Sequence, residues 1–249
     1  MNQMLNQNMD RLFDKKTIEK GSFSFDQNVA AVFDDMITRS VPYFDQIQKM
    51  IIDFAKRYTK KNSLIYDFGC STGLTLFKLM EELKENYHYV GLDNSEHMLT
   101  VAKKRLATLS MNDYLNLNCV NLNSIKTFND AGFGIFNLIL QFLPIEKRRD
   151  LLSLFYNSLL PNGAIVVVEK VVFLNSDLNQ IYIEQFRKFK QQQGYSMNEI
   201  LLKEKALDGV LKPSTIEENK LLLKDAGFSI IETFFQWYNF VGILAIKPK

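Results

Sequence analysis

Apolar positions in this chain recur at two different periods. Between Phe25 and Arg39, Val29, Val32, Phe33 and Met36 repeat every three to four residues, and between Tyr43 and Tyr58 so do Ile47, Met50, Ile51 and Phe54. Both patterns predict amphipathic helices, with Pro42 between them. The short apolar run Leu64-Ile65-Tyr66 then ends at Asp67 and the turn Gly69-Cys70-Ser71-Thr72-Gly73, and a helical pattern follows through Leu76, Leu79, Met80 and Leu83. Strand, glycine turn and helix are predicted in that order.

The unit repeats. Tyr87 to Leu92 reads as a strand closing on Asp93, and Ser95 to Leu109 as a helix with Ser95 as its N-cap. Leu115 to Val120 and Gly134 to Leu140 read as the third and fourth strands. A helix over Ile145 to Leu160, a Pro161-Asn162-Gly163 turn and a β-branched strand from Ala164 to Val172 come next. Strands alternating with helices imply a parallel, doubly wound sheet. Largely polar helices follow over Asp177 to Gln193 and Ser196 to Leu207, then a helix from Ser214 to Ala226. The apolar runs Ser229 to Phe235 and Tyr238 to Ile246 are too close together for a parallel crossover and predict a reversed hairpin at the sheet edge.

The expected architecture is therefore α/β: a Rossmann-like sheet of about seven strands, with N-terminal helices and a helical insert at 174–212 after the fifth strand. Its 249 residues suit one domain over 1–249, with residues 1–24 read as a disordered leader.

Composition narrows the function only by exclusion. The net charge of +2 is small and its lysines and arginines are dispersed, so direct nucleic acid binding is not indicated. Cys70, Cys119, His88 and His97 lack metal-ligand spacing, and no metal is expected. No apolar run reaches the roughly 18 to 20 residues of a membrane span, and the N-terminus lacks a signal-peptide core. A cytoplasmic protein with no membrane partner is expected.

The first two turns carry the candidate chemistry. Asp67, Gly69 and Gly73 lie where a buried strand passes into a helix, where bare glycine backbone admits a nucleotide-derived cofactor. Asp93 closes the next strand, and its carboxylate can accept from both hydroxyls of a ribose. The turn Asp67-Phe68-Gly69-Cys70-Ser71-Thr72-Gly73 lacks the glycine triplet of a dinucleotide site. S-adenosyl-L-methionine, which has no phosphate to cradle, fits it better, with S-adenosyl-L-homocysteine as product. Asn121 after the third strand can pair with an adenine edge or simply turn the loop, and Asn137 in an apolar strand needs a partner from ligand or backbone.

The motifs VAAVFDDMI and RSVPY, YDFGCSTG, DNS, QFL, GYS with Glu199-Ile200, and FQWYNF run along almost the whole chain. On these residues the chain resembles class I S-adenosyl-L-methionine-dependent methyltransferases, and more closely the carboxy-S-adenosyl-L-methionine synthases that serve tRNA wobble-uridine modification. The resemblance implies cofactor contacts at Gly69, Cys70, Ser71, Asp93, Asn94, Asn121, Leu122 and Asn137, and a homodimer. It also implies a tyrosine contact after the RSVP motif, where an ungapped alignment brings Phe44, with Tyr43 one place earlier.

Two departures stand out. Asn121 replaces the family's aspartate, and Glu204, between Lys203 and Lys205, replaces the arginine that pairs with the carboxylate of carboxy-S-adenosyl-L-methionine. A carboxylate facing a carboxylate repels it, and adjacent lysines on a helix point roughly 100° apart. Methyl transfer to a small-molecule acceptor is therefore the leading expectation. The alternatives are synthesis of the carboxylated cofactor and phenylpyruvate from prephenate, and a non-catalytic cofactor-binding protein. Tyr195, Glu204 and Tyr43 are candidate catalytic residues by position.

Overall fold

In the computed structural model, which describes residues 9–14, 18–84 and 87–249, four parallel pairings set the sheet. They join β1 (Leu64–Phe68), β2 (His88–Asp93), β3 (Leu115–Cys119), β4 (Ala131–Asn137) and β5 (Leu159–Lys170). The sheet has seven strands in the order β3-β2-β1-β4-β5-β7-β6. β7 (Phe240–Ile246) inserts antiparallel between β5 and β6 (Ile230–Trp237), so the expected hairpin is present with β6 at the edge. Strand order reverses between β1 and β4, and the carboxyl ends there leave the crevice in which doubly wound sheets bind ligands.

Alternation along the strands divides the core into two layers, as side chains on a strand point to opposite faces in turn. Ile65, Tyr89 and Val166 pack with α2 (Phe44–Tyr58), α3 (Leu74–Leu83) and α4 (Glu96–Leu106) through Ile47, Leu76 and Leu99. Their neighbours Tyr66, Val90 and Val167 face the other layer, where α5 (Ile145–Ser158) contributes Leu152 and α8 (Ile216–Asp225) contributes Leu223. Ser95 caps α4, accepting from the Met98 N–H at 3.3 Å. α1 (Gln27–Ser40) packs Val29 and Met36 against Met98. Its buried Asp34 pairs with Arg105, which also donates to the Thr72 carbonyl at 2.6 Å and so ties α1 and α4 to the glycine turn.

Three boundaries differ from the sequence pattern for physical reasons. β4 begins at Ala131 and ends at Asn137, because Leu138 takes a left-handed φ of 60° and Leu140–Phe142 forms a 3-10 turn. α5 stops at Ser158, and Pro161-Asn162-Gly163 lies inside β5 as a bulge, where pairing with β4 jumps from Leu159 to Ala164. Part of the expected leader is packed. The Asp10 N–H donates to Asp35 at 2.7 Å, its carbonyl accepts from Arg39 at 2.8 Å, and Asp10 and Phe13 are buried. Residues 1–8 and 15–17 of that leader lie outside the described residues.

The insert after β5 forms α6 (Ser176–Gln192) and α7 (Met197–Leu207), the latter opened by a Ser196/Glu199 capping box. Phe186 and Lys190 of α6 and Lys203 of α7 line the cavity at the carboxyl ends of the strands.

Candidate cofactor site at the carboxyl ends of the strands

The turn after β1 is held by the strand beside it: the N–H groups of Gly69 and Cys70 both donate to the Leu92 carbonyl, at 2.7 and 3.0 Å. Gly69 sits at φ +70°, a conformation that favours glycine, and a Cβ there would lie 2.7 Å from Ile139 Cδ1 and push that side chain aside. Asp93 closes β2 and binds the turn back. One carboxylate oxygen accepts from the Ser71 N–H and the other from the Ser95 N–H, each at 2.9 Å. A carboxylate has about four acceptor positions, so two remain for hydroxyl donors.

Asp67 lies at the bottom of the same cavity. Burial, and then the nearby Asp93, push its carboxyl well above the ordinary carboxylate range. Burial also raises Asp93, against the opposing pull of its N–H donors.

Across the switch point, the turn after β4 is organised by Glu169 of β5. Its buried carboxylate accepts from the N–H groups of Ile139, Leu140 and Gln141 at 3.1, 2.8 and 3.0 Å, while burial pushes the group up to about 8. This fixes Asn137 and Gln141 on the cavity wall. Among the described residues, Asp67 Oδ2, Asn137 Oδ1 and Gln141 Oε1 are buried without a hydrogen-bond partner, and all three residues line this cavity. Three orphaned acceptors, one of them on Asp67, beside the Asp93 carboxyl in low dielectric require donors, preferably cationic ones.

The far wall is basic. Lys170 at the end of β5, Lys190 on α6 and Lys203 on α7 line it together with Glu204. Burial lowers all three lysines, Lys190 to about 7 and Lys203 to about 8. Glu204 does not stand as a free repulsive charge. Arg187 donates to it through Nε at 3.2 and 3.1 Å and through Nη2 at 2.6 Å, and Lys190 Nζ lies 3.3 Å away. Despite burial, these cations hold Glu204 below the usual carboxylate range. The expectation that residue 204 would repel a carboxylate is thus corrected. Its neighbour Lys203 also lines the cavity, while its ammonium donates to Ser40 Oγ at 3.2 Å and lies 4.0 Å from Asp10.

The structure gathers Asp67, Gly69, Cys70, Ser71, Asp93, Asn94, Asn137 and Glu204 around one cavity. Other expected site residues stand elsewhere. Gly73, at φ +73°, is a packing glycine, since a Cβ there would meet Ala102 Cβ at 3.0 Å. Asn121 turns its own loop by accepting from the Asn123 N–H at 3.0 Å, and Leu122 is buried in the core layer of α5. Tyr43 is 59% exposed at a left-handed φ of 54°, while Phe44 lines the cavity in its place. Tyr195 is buried outside the lining, its hydroxyl donating to Asp10 at 2.6 Å, and burial and that carboxylate raise its pKa. Sequence reasoning missed Gln141, Lys170 and Lys190 as lining residues, because nothing in their local pattern distinguishes them from turn, strand-end and helix-surface residues. For Phe33, Met36 and Ile37 a signal existed, since they share one face of α1.

These residues fit S-adenosyl-L-methionine. Its methionyl ammonium offers three N–H donors to orphaned acceptors, and its two positive charges suit a pocket floored by Asp67 and Asp93. Comparison with known proteins agrees. Residues 65–163 match the methyltransferase domain family. The chain is 39% identical over 226 residues to carboxy-S-adenosyl-L-methionine synthase of Methylococcus capsulatus, covering 90% of this chain and 93% of that protein. With the enzyme of the same name from Campylobacter hominis it shares 40% over 239 residues, covering 96% and 99%. Solved structures share the fold at low identity. One is an S-adenosylmethionine-dependent methyltransferase of Methanosarcina mazei, with a TM-score of 0.57, 15% identity and 78% and 97% coverage of this and that chain. Another is human N-acetylserotonin methyltransferase in complex with S-adenosylmethionine, with a TM-score of 0.58, 15% identity and 90% and 56% coverage. The protein is a transferase whose cofactor is S-adenosyl-L-methionine, and it belongs to the carboxy-S-adenosyl-L-methionine synthase family.

Proposed function

We propose that this enzyme converts S-adenosyl-L-methionine and prephenate to carboxy-S-adenosyl-L-methionine and phenylpyruvate. The observation that carries this reading is the basic wall of Lys170 and Lys190 that lines the cavity together with the cofactor turn, with Lys203 beside them held by Ser40 and Asp10. Neutral methyl acceptors have no use for a cationic wall, whereas a dicarboxylate substrate and a carboxylated product supply an anion to Lys170 and Lys190, whose charge the Arg187–Glu204 pair leaves uncompensated. The names of the family relatives support the same reading. Methyl transfer to a small-molecule acceptor rested on Glu204 as a repulsive charge, and its forked pairing with Arg187 removes that ground.

In this reading Asp67 and Asn137 hold the methionyl ammonium, and Asp93 takes the ribose from the turn of Gly69, Cys70, Ser71 and Asn94. Phe25, Phe33 and Phe142 line the cavity and limit water. The reaction balances without an oxidant. Prephenate gives up a carboxyl group and a hydroxide; the carboxyl replaces one methyl hydrogen of the cofactor, and the released proton leaves with the hydroxide as water. The chain's own contribution is alignment of two anionic and cationic partners in one desolvated pocket.

We further infer one catalytic domain working in the cytoplasm as a homodimer. Exposed Leu174, Ile181 and Leu201 on and beside α6 and α7 support an interface there, and among the described residues no helix is long and apolar enough to cross a membrane. Incubation of the purified enzyme with S-adenosyl-L-methionine and prephenate tests the activity. Phenylpyruvate together with a cofactor heavier by one carboxyl group is expected. S-adenosyl-L-homocysteine formed only with an added acceptor would replace this reading with methyl transfer, and tight binding without turnover would leave a non-catalytic protein.

A further inference from the structure

We propose that the carboxyl group of the carboxylated cofactor is gripped by Lys190, with Lys170 beside it, while Glu204 acts as a positioning residue for that grip. This deepens the reading above and rests on it. Four charged side chains meet between the end of β5, α6 and α7. Lys170, Lys190 and Glu204 line the cavity, and Arg187 lies outside the lining. Arg187 takes both oxygens of Glu204 in a fork, so the glutamate is neutralised from the outer side and its geometry is fixed.

Lys190 approaches Glu204 Oε1 from the cavity side at 3.3 Å, and its side chain is 5% exposed. One contact of that length uses one of three ammonium protons. The Nζ atoms of Lys190 and Lys170 lie 4.4 and 4.9 Å from the centroid of the same Phe186 ring, so two ammonium groups share one apolar wall. With Arg187 and Glu204 cancelling each other, two positive charges face the cavity with spare donors. Desolvation already depresses both lysines, the cost expected where a buried cation waits for an anion. A carboxylate here would accept from both and restore their charge. The cationic function of the family's arginine is thus carried by residues from a different helix and a strand end, and the negative charge at position 204 holds one of them in place.

Calorimetric titration of ligand-free, full-length enzyme with S-adenosyl-L-methionine and, separately, with carboxy-S-adenosyl-L-methionine tests this. The wild type should bind the carboxylated form at least about tenfold more tightly, the size of one buried charge-assisted contact. Lys190→Met should bring the ratio of the two affinities close to one, Lys190→Arg should recover part of it, and Glu204→Gln, which removes the charge that holds Lys190, should lower the ratio part of the way. Lys170→Met is an independent arm in case Lys190→Met fails to fold, and should cut the ratio by about threefold or more. An unchanged ratio in a folded Lys190→Met or Lys170→Met variant would overturn the proposal, and an unchanged ratio in Glu204→Gln would overturn the positioning role of Glu204. If the wild type shows neither a preference nor phenylpyruvate formation, the functional reading itself fails. If it shows both and the lysine variants retain the ratio, only the assignment to Lys190 and Lys170 fails.

Discussion

Arg187 and Glu204 meet fork to fork between α6 and α7, with Nη2 2.6 Å from Oε2 and Nε within 3.2 Å of both carboxylate oxygens. The two side chains are 29% and 26% exposed, so water screens the pair only in part. In a double-mutant cycle of Arg187→Ala and Glu204→Ala, followed by denaturant unfolding, the coupling should be about 1 kcal/mol, at the upper end for partly exposed pairs. Arg187→Ala alone should also weaken binding of the carboxylated cofactor, because Glu204 would then compete for Lys190. Coupling near zero would reduce the fork to a surface contact.

Asp93 joins the turns after β1 and β2, since its carboxylate accepts from the Ser71 and Ser95 N–H groups at once. Asp93→Ala should lower affinity for S-adenosyl-L-methionine by roughly a hundredfold or more, because ribose donors and both backbone donors lose their acceptor together. It should also cost about 1–3 kcal/mol of stability. Asp93→Asn, with one acceptor oxygen left, should fall between. Equilibrium binding and thermal melting read both effects, and an Asp93→Ala protein that binds the cofactor normally would remove the residue from the site.

Local pattern and tertiary gathering divide what the sequence could reveal. Asp67, Gly69 and Asp93 were legible because strand ends, glycine conformation and the spacing of a βα repeat are local facts. The doubly wound sheet follows from the alternation of elements, and the final hairpin from the shortness of its link. The basic wall was not legible. Lys170, Lys190 and Lys203 come from three elements, and each alone reads as a solvated charge. From the sequence Glu204 reads as an unpaired charge, whereas the structure pairs it with Arg187, 17 positions earlier on another helix. Tyr195 is a catalytic candidate by its position in the sequence, and only its contact with the packed Asp10 shows it as a buried tether for the N-terminal segment.

Glu169 holds the turn that presents Asn137 and Gln141, taking three successive N–H groups on its two oxygens. Glu169→Gln preserves shape but turns one acceptor into a donor, leaving at least one of the three N–H groups unpaired in a buried place. A loss of about 1–3 kcal/mol follows. Because the loosened turn carries an orphaned acceptor of the cofactor site, the variant should bind S-adenosyl-L-methionine more weakly as well. Full stability in Glu169→Gln would mean that the turn is set by chain geometry alone.

The depressed Lys190 makes binding of the carboxylated cofactor depend on pH. Burial brings this ammonium to about 7, against an ordinary value of 10.5, with Glu204 pulling it upward and Lys170 and Lys203 pushing it down. Below that value the lysine is already charged and a carboxylate binds without proton uptake. Above it the free enzyme holds a neutral amine, so binding must take up a proton, and affinity should fall by up to about tenfold per pH unit until the pKa of the complex is reached. Stability of the free enzyme should move the opposite way. Between about 7 and 10.5 the unfolded chain binds more protons than the fold at this position, so this residue's contribution favours the folded state increasingly as pH rises. Titrations from about pH 6 to about pH 9 in buffers of different ionisation heat separate the two, since proton uptake appears as a buffer-dependent enthalpy. Lys170, also lowered by burial, is a second depressed cation beside it, so the wild-type profile should be broad and the Lys190→Met profile shifted upward rather than flat. A pH-independent affinity in the wild type would show that no neutral amine has to be charged when the carboxylate enters.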